Sequence, residues 1–292
     1  MTRRPGVCAS SARIFRHVNF YFIFYYVVFI QLLCGNRINN TVKQLFLTIN
    51  GKILKFESLT KESLEGAIKV MRESFFVAEN LCKAVGLLDE PGAAEEFMQT
   101  CYDAAKDGVS IVANDTSTNE IVGVIFNKIQ VCIPNKLKPP LHTKNCKHSA
   151  SKAIIDFTID VENRADLFKF YNANCFLEFM YIATMPDFKQ RNIGQLLTWS
   201  TLKLGRKLYN GDNVKTPVDI EGKEITNADA VPSLVSALTT SNYSQKIGET
   251  LGFDNVLEVN YDDFTFDGRR FSERIGDEHK TCRLVAKRLS DN

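Results

Sequence analysis

The sequence lacks the motifs that would settle a function at once. It contains neither G-x-x-x-x-G-K-[ST] nor G-x-G-x-x-G, which removes two common glycine-rich phosphate cradles. Its eight cysteines form no C-x-x-C pair and adjoin no histidine ladder. Neither a metal site nor a disulfide framework is therefore indicated, and a reducing compartment is the simpler setting. No internal repeat, low-complexity tract or Pro/Gly/Ser linker interrupts the chain after residue 46, which argues for one domain there. A surplus of charge is missing too, since 36 Lys and Arg face 34 Asp and Glu. Six of the basic residues and no acidic one fall in residues 1–46, so the body is mildly acidic and a poor nucleic-acid binder. What is present is length and apolar content: 292 residues at 45 % hydrophobic can bury a sizeable core, and exclude a disordered tail or a collagen-like fibre.

The run Val18 to Cys34 (VNFYFIFYYVVFIQLLC) is apolar apart from Asn19, Gln31 and the tyrosine hydroxyls. It falls short of the roughly 20 residues that span a bilayer. Three readings compete: a signal peptide or anchor with a basic flank, a buried strand pair, and an extension outside the working protein. The last is favoured, because the remainder reads as a complete cytosolic fold from near Leu45. A membrane partner is expected only if the run is a true anchor. A lumenal setting would also offer Asn114-Asp115-Thr116 and Asn242-Tyr243-Ser244 for glycosylation, and the second lies in the candidate site. The expectation is a leader over 1–45 and a single cytoplasmic domain over 46–292.

Residues Phe46 to Phe56 alternate weakly around Asn50-Gly51, predicting a strand or short hairpin. Thr60 can then cap a helix carrying Leu64, Ile68, Met71 and Phe75 on one face. A second helix is predicted from Gly92 to Ala105 and ended by Gly108. Val109 to Ala113 and Ile121 to Ile129 form a hairpin by their turn residues, and Cys132 to Ser151 reads as a loop. A helix through Asp166 to Tyr171 leads into the apolar strand Cys175 to Thr184, stopped by Pro186. The clearest helix follows, with Ile193, Leu197, Ser200, Leu204 and Leu208 in one stripe closed by Asn210-Gly211. Val231 to Thr239 reads as a strand, Tyr243 to Leu251 as a helix ended by Gly252, and Val256 to Phe266 and Lys280 to Leu289 as strands. The class is mixed α/β (α+β), with about seven strands in one sheet.

One stretch carries chemistry. The strand ending at Thr184 runs through Lys189-Gln190-Arg191-Asn192-Ile193-Gly194-Gln195 into the long helix. At such a helix start the first N–H groups lack partners and sit at the positive end of the dipole, where a phosphate can be held. Gly194 permits close approach, Asn192 tolerates a left-handed turn, and Lys189 and Arg191 add positive charge. An ordinary loop with solvated cations is the alternative on these residues alone.

This stretch resembles the pyrophosphate loop Q/R-x-x-G-x-G/A of the GNAT superfamily of acyl-CoA-dependent N-acetyltransferases. Lys189 stands for the first Gln/Arg and Asn192 for the first Gly. Thr240-Ser241-Asn242-Tyr243-Ser244-Gln245-Lys246 with Leu251-Gly252-Phe253 resembles that superfamily's helix ending in L-G-F. Ser74-Phe75-Phe76-Val77-Ala78-Glu79-Asn80-Leu81 is similar to the F-F-x-x-E-P-L stretch of the insect arylalkylamine (dopamine) N-acetyltransferases, with Asn80 in place of proline. The resemblance covers roughly residues 46 to 290 and omits the leader.

The resemblance implies a GNAT acyl-CoA N-acyltransferase fold, with a splayed central strand pair flanked by helices and acetyl-CoA as co-substrate. Ile182, Ala183 and Thr184 would bond the pantetheine through their backbone. Residues 189–195 would take the diphosphate, with Ser241 also on the cofactor side, and no metal is implied. Backbone N–H groups near Ile182 or Ala183 would meet the charge developing on the thioester oxygen. Glu79 would be the general base that frees the amine, since an alkylammonium carries no nucleophilic lone pair. On its residues alone Glu79 is either a base buried among aromatics or an exposed glutamate at a helix end. Thr240 and Ser244 would offer hydroxyls to the departing thiolate, capping being their competing role. Many members carry a tyrosine four residues before the Gly of L-G-F, where this chain has Gly248.

Phe75 and Phe76 would line the amine pocket and favour an arylalkylamine such as dopamine, serotonin, tyramine or octopamine. A polyamine, agmatine or peptide amine would call for carboxylates there. A non-catalytic membrane-anchored acyl-CoA-binding module is the reading from another class. Cys82 is expected to be a small buried hydrophobe, and His142, His148 and His279 structural or surface residues.

Overall fold

The computed structural model describes residues 45–49, 52–132, 146–216, 218, 227 and 229–290. These fall in the compact unit Val42–Asn292. The apolar run 18–34, the Asn50-Gly51 turn, His142, most of the Cys132 to Ser151 segment and part of the Asp212 to Asp229 excursion lie outside the described residues.

Ten strands are described. β1 (Leu45–Ile49) and β2 (Lys52–Ser58) pair antiparallel as the expected hairpin. β3 (Ile111–Asp115) and β4 (Glu120–Val131) form the second hairpin, followed by β5 (Cys175–Thr184) and β6 (Leu234–Thr239). β7 (Asp254–Asn260) and β10 (Thr281–Arg288) complete an eight-stranded sheet of order β1-β2-β3-β4-β5-β6-β10-β7, while β8 (Thr265–Phe266) and β9 (Arg269–Arg270) form a separate ribbon. Every neighbour in the large sheet is antiparallel except β5 and β6. The expected count of about seven becomes eight because the first hairpin supplies two full strands.

Side chains alternate across the sheet and fill two cores. On one face, Leu54, Ile125, Leu177 and Val235 pack under the long helix α6 (Ile193–Tyr209), whose Ile193, Leu197, Leu204 and Leu208 form the predicted stripe. The other face is covered by α1 (Lys61–Val70), α2 (Asn80–Val85), α3 (Ala93–Ala105), α4 (Ser149–Arg164), α5 (Leu167–Tyr171) and α8 (Phe271–Ile275). Beside the gap in the sheet stands α7 (Asn242–Thr250).

Three local expectations change. The first helix does not run evenly to Phe75: after Val70 it widens into a π-helical turn, Met71–Phe75, and closes with a short helical turn, Phe76–Ala78. Such insertions accompany functional sites, and this one precedes Glu79. The loop over Cys132 to Ser151 gives way to α4 at Ser149. Its start is capped from afar, with Glu96 accepting the N–H groups of Lys147 and His148 at 2.7 and 3.0 Å and Glu90 those of Ser149 and Ala150 at 3.1 and 2.8 Å. The strand expected over Val256 to Phe266 breaks at a 3₁₀ turn, Tyr261–Asp263, where the Asn260 side chain accepts the Asp262 N–H.

Candidate active site

The site begins as a failure of two strands to stay paired. β5 and β6 are paired only from Phe176 to Phe179 on one and Leu234 to Ala237 on the other. Beyond, β5 continues to Thr184 against β4, while Leu238 and Thr239 stay with β10. A register shift in the β4/β5 ladder skips Met180 at the point of parting. Further on, the Met185 N–H bonds to Val122 O at 2.9 Å and sets the phase of the ladder. Hydrogen-bonded pairs alternate in an antiparallel ladder, so Ala183 bonds to Val124 while Ile182 and Thr184 turn their backbone groups toward the gap. The expectation that Ile182, Ala183 and Thr184 are all free is thus corrected at Ala183 by the two-residue period. The Thr184 carbonyl in turn takes the Ser74 hydroxyl at 2.6 Å. A small open cleft follows the gap, lined by Ile182, Thr239, Ser244, Ile247, Gly248 and Phe253 among others. Gly248 contributes no hydroxyl to the cleft wall at the position where the resemblance would put a tyrosine.

At one end of this cleft lies the loop singled out from sequence. A 3₁₀ turn, Pro186–Phe188, leads through Lys189 to Gln190 and Asn192, both with φ of 60°. Asn192 is the N-cap of α6 but its side chain bonds to none of the first N–H groups. Those of Ile193, Gly194 and Gln195 therefore remain as orphan donors of a 17-residue helix. A Cβ on Gly194 would meet only Ile247 Cδ1 at 3.4 Å and Ile182 Cδ1 at 3.8 Å, so open space lies over its backbone. Arg191 holds its guanidinium 5.2 Å from the centre of the Phe188 ring, and Lys189 is exposed. Donors, dipole and cations fit a diphosphate.

Glu79 does not line this cleft; it follows the π-helical turn and precedes Asn80, whose side chain bonds the Thr240 carbonyl next to the cleft-lining Thr239. Glu79 caps α2, with Oε2 accepting the Cys82 N–H at 2.9 Å. Its Oε1 is buried and has no hydrogen-bond partner among the described residues. A desolvated, unsatisfied carboxylate oxygen calls for a donor such as an ammonium. Burial and then the Glu79 charge push the Cys82 thiol well above its ordinary range, so it stays protonated, in keeping with the expected inert thiol. Burial raises the Cys282 thiol as well, with Glu79 again contributing.

The aromatic residues form one cluster. Phe75 meets Tyr181 edge-on at 5.5 Å, Phe76 meets Phe97 at 6.0 Å, and Phe97 meets Tyr181 at 5.4 Å. Phe76 is a core residue, only 2 % exposed, whereas Phe75 keeps part of its ring accessible. The structure thus leaves Phe75, of the two, able to touch a ligand.

The hydroxyl turn is saturated by local bonds. Ser241, rather than Thr240, is the N-cap of α7. Its Oγ accepts the Ser244 N–H at 3.2 Å, and Ser244 Oγ accepts the Ser241 N–H at 3.1 Å, a complete capping box. The buried His279 accepts the Asn242 N–H on Nδ1 at 3.3 Å. Ser244 nonetheless lines the cleft. Sequence reasoning gave Ser74, Asn80 and Tyr261 no individual role, although Ser74 and Asn80 lie in the stretch compared with F-F-x-x-E-P-L, whereas His279 has the structural role expected of it.

No group of three or more His, Cys, Asp or Glu side chains that could hold a metal occurs among the described residues. The six cysteines described are free thiols, and no described helix is long and apolar enough to cross a membrane.

No protein-family model matches this chain, and no curated protein matches it in sequence. Solved structures do match. An arylalkylamine N-acetyltransferase 2 from Aedes aegypti is 21 % identical with a TM-score of 0.62, over 81 % of this chain and 99 % of that one. An agmatine N-acetyltransferase, a mutant in its apo form, is 17 % identical with a TM-score of 0.61, over 80 % and 99 %. A polyamine N-acetyltransferase from Drosophila melanogaster is 16 % identical with a TM-score of 0.58, again over 80 % and 99 %. With its parted strands and flanking helices, the chain has the fold of the GNAT N-acetyltransferases and resembles the insect ones.

Proposed function

We propose that this protein transfers the acetyl group of acetyl-CoA to a small primary amine, an arylalkylamine such as dopamine, serotonin, tyramine or octopamine. The observation that carries the proposal is the β5/β6 gap with the uncapped start of α6 beside it, together with the unpartnered Glu79 Oε1 next to Asn80, whose amide bonds the Thr240 carbonyl just past the end of β6. The fold shared with acetyltransferases of arylalkylamines, agmatine and polyamines supports acetyl transfer to an amine.

In this reading the first N–H groups of α6, with Arg191 and Lys189, bind the diphosphate, and the edge of β5 at Ile182 pairs with the pantetheine as an added strand would. Acetyl-CoA supplies the activated acyl carbon. Glu79 Oε1 accepts a proton from the ammonium, directly or through a water, and leaves the nitrogen lone pair free to attack. A backbone N–H directed into the gap at Ile182 stabilises the charge on the carbonyl oxygen. Ser244, which lines the cleft, meets the thiolate, with Thr240 on the same turn.

The ring cluster around Phe75 favours an aromatic amine, because edge-on aromatic contacts suit a flat apolar substrate better than a polycation. A reducing cytoplasmic setting agrees with the free thiols and with Asn242, whose side-chain amide already donates to Glu278 O at 2.6 Å and would lose that bond to a glycan. Thiol release from acetyl-CoA tests the proposal, with dopamine, serotonin, tyramine, octopamine, agmatine and spermidine compared. Turnover is expected with an arylalkylamine; preference for agmatine or spermidine would move the substrate class, and no turnover with any amine would remove the activity.

A further inference from the structure

The strongest unexplained feature is a carbonyl with two donors. The backbone oxygen of Thr240, between the end of β6 and the N-cap of α7, accepts the Asn80 side-chain amide at 2.6 Å and the Tyr261 hydroxyl at 2.6 Å. Both donors are buried, Asn80 at 3 % exposure and Tyr261 at 0 %. Tyr261 is held in place by Phe157, with ring centres 6.2 Å apart. One donor would satisfy a buried carbonyl. The second comes from the residue next to Glu79.

The backbone at this point does not need asparagine. Glu79 has φ −70° and ψ 141°, the conformation imposed on a residue before proline. Asn80 is the first residue of α2, where proline is well tolerated, because its N–H is an orphan there. What position 80 uses is therefore the side-chain amide, which reaches across 160 residues of sequence to the hydroxyl-bearing turn.

We propose that Asn80, with Tyr261, is a positioning residue that ties the segment carrying Glu79 to the Thr240–Ser244 turn beside the cleft. The tie fixes one spacing between the group that takes the amine proton and the hydroxyls beside the departing thiolate. It rests on the acetyl-transfer reading above.

Asn80→Pro is the sharpest test, since it suits the backbone and deletes only the donor; Asn80→Ala controls for the ring. The measurements are kcat and the KM for acetyl-CoA, the pH profile of kcat/KM, and amide hydrogen exchange over residues 241–245. Both variants are expected to lower kcat about tenfold, since small misplacements of reacting groups carry costs of this size or larger. The KM for acetyl-CoA should stay within about twofold, because the diphosphate end is untouched, and exchange over 241–245 should quicken. Tyr261→Phe should cost less than additively on top of Asn80→Pro if the two serve one carbonyl. Wild-type kcat with quickened exchange would make the tie merely structural, and unchanged exchange would show that it holds nothing; either overturns the proposal. A wild-type protein inert toward every amine would instead sink the acetyl-transfer reading, with exchange still reporting on the tie.

Discussion

Two helices begin at the edge of the same gap and are finished in opposite ways. The start of α7 is closed: Ser241 and Ser244 bond each other's backbone, His279 takes the Asn242 N–H, and Asn80 and Tyr261 hold the preceding carbonyl. The start of α6 is left open, with a left-handed Asn192 that bonds none of the first N–H groups. A helix start with its donors satisfied is rigid and has nothing to offer an anion, whereas one with orphan donors is a binding site in waiting. In the proposed reading, cross-links lie where reacting groups would need fixed spacing and are absent where a ligand would supply the bonds. A third start, that of α4, is closed by carboxylates from distant elements.

The largest expected break in that contrast is Glu79→Ala beside the closed end. Removing the base should lower kcat by about 10²- to 10⁴-fold, with the KM for acetyl-CoA little changed. Steady-state kinetics decide it, and an unaffected kcat would strip Glu79 of its role. At the open end, Gly194→Val should weaken acetyl-CoA binding by about tenfold or more, as side-chain atoms enter the space over the N–H groups. The fold should persist, because the new Cβ meets only ordinary contacts. Calorimetric titration giving wild-type affinity would contradict it. A milder effect is expected from Ser241→Ala, which opens the closed helix start and should cost about 1 kcal/mol of stability in a denaturant melt.

The smallest concerns α4. Burial alone would raise the Glu96 carboxyl, but hydrogen bonds from Lys147, Ser151 and His148 outweigh it and hold the group at about 2. A carboxyl depressed in the fold contributes stability above its unfolded value, near 4.5, and loses it as pH falls toward 2. Protection of the amides at residues 147–150, each rate taken relative to its intrinsic rate at that pH, should therefore fall between about pH 4.5 and pH 2, and Glu96→Gln should flatten that fall. Protection unchanged over that range in the wild type would show that Glu96 does not clasp the helix.

Local patterns were legible where a single element carried its own stops. Cys175 to Thr184 ends before Pro186 and the α6 stripe closes at Asn210-Gly211, so both appear where periodicity and punctuation put them. The helix α4 was hidden because its cap lies in Glu90 and Glu96, more than 50 residues upstream. The break of the last strands at Tyr261 and the π-helical turn over Met71–Phe75 left no periodic trace. Among the proposed site residues, Glu79, Arg191 and Gly194 were candidates from residue type and resemblance. The capping box of Ser241 and Ser244 is written in local sequence, but Thr240 looked as good a cap until the backbone decided between them.

Sequence alone determined the elements and their chemistry: a strand-loop-helix with a glycine at the helix start, a glutamate after paired phenylalanines, and a turn rich in hydroxyls. These follow from side-chain period and backbone preference, which act over a few residues. Tertiary structure alone decided that β5 and β6 part after Phe179, that one carbonyl holds Asn80 and Tyr261 together, and which helix start stays open. Such features depend on groups far apart in the chain meeting within hydrogen-bond distance, and no local pattern encodes that encounter.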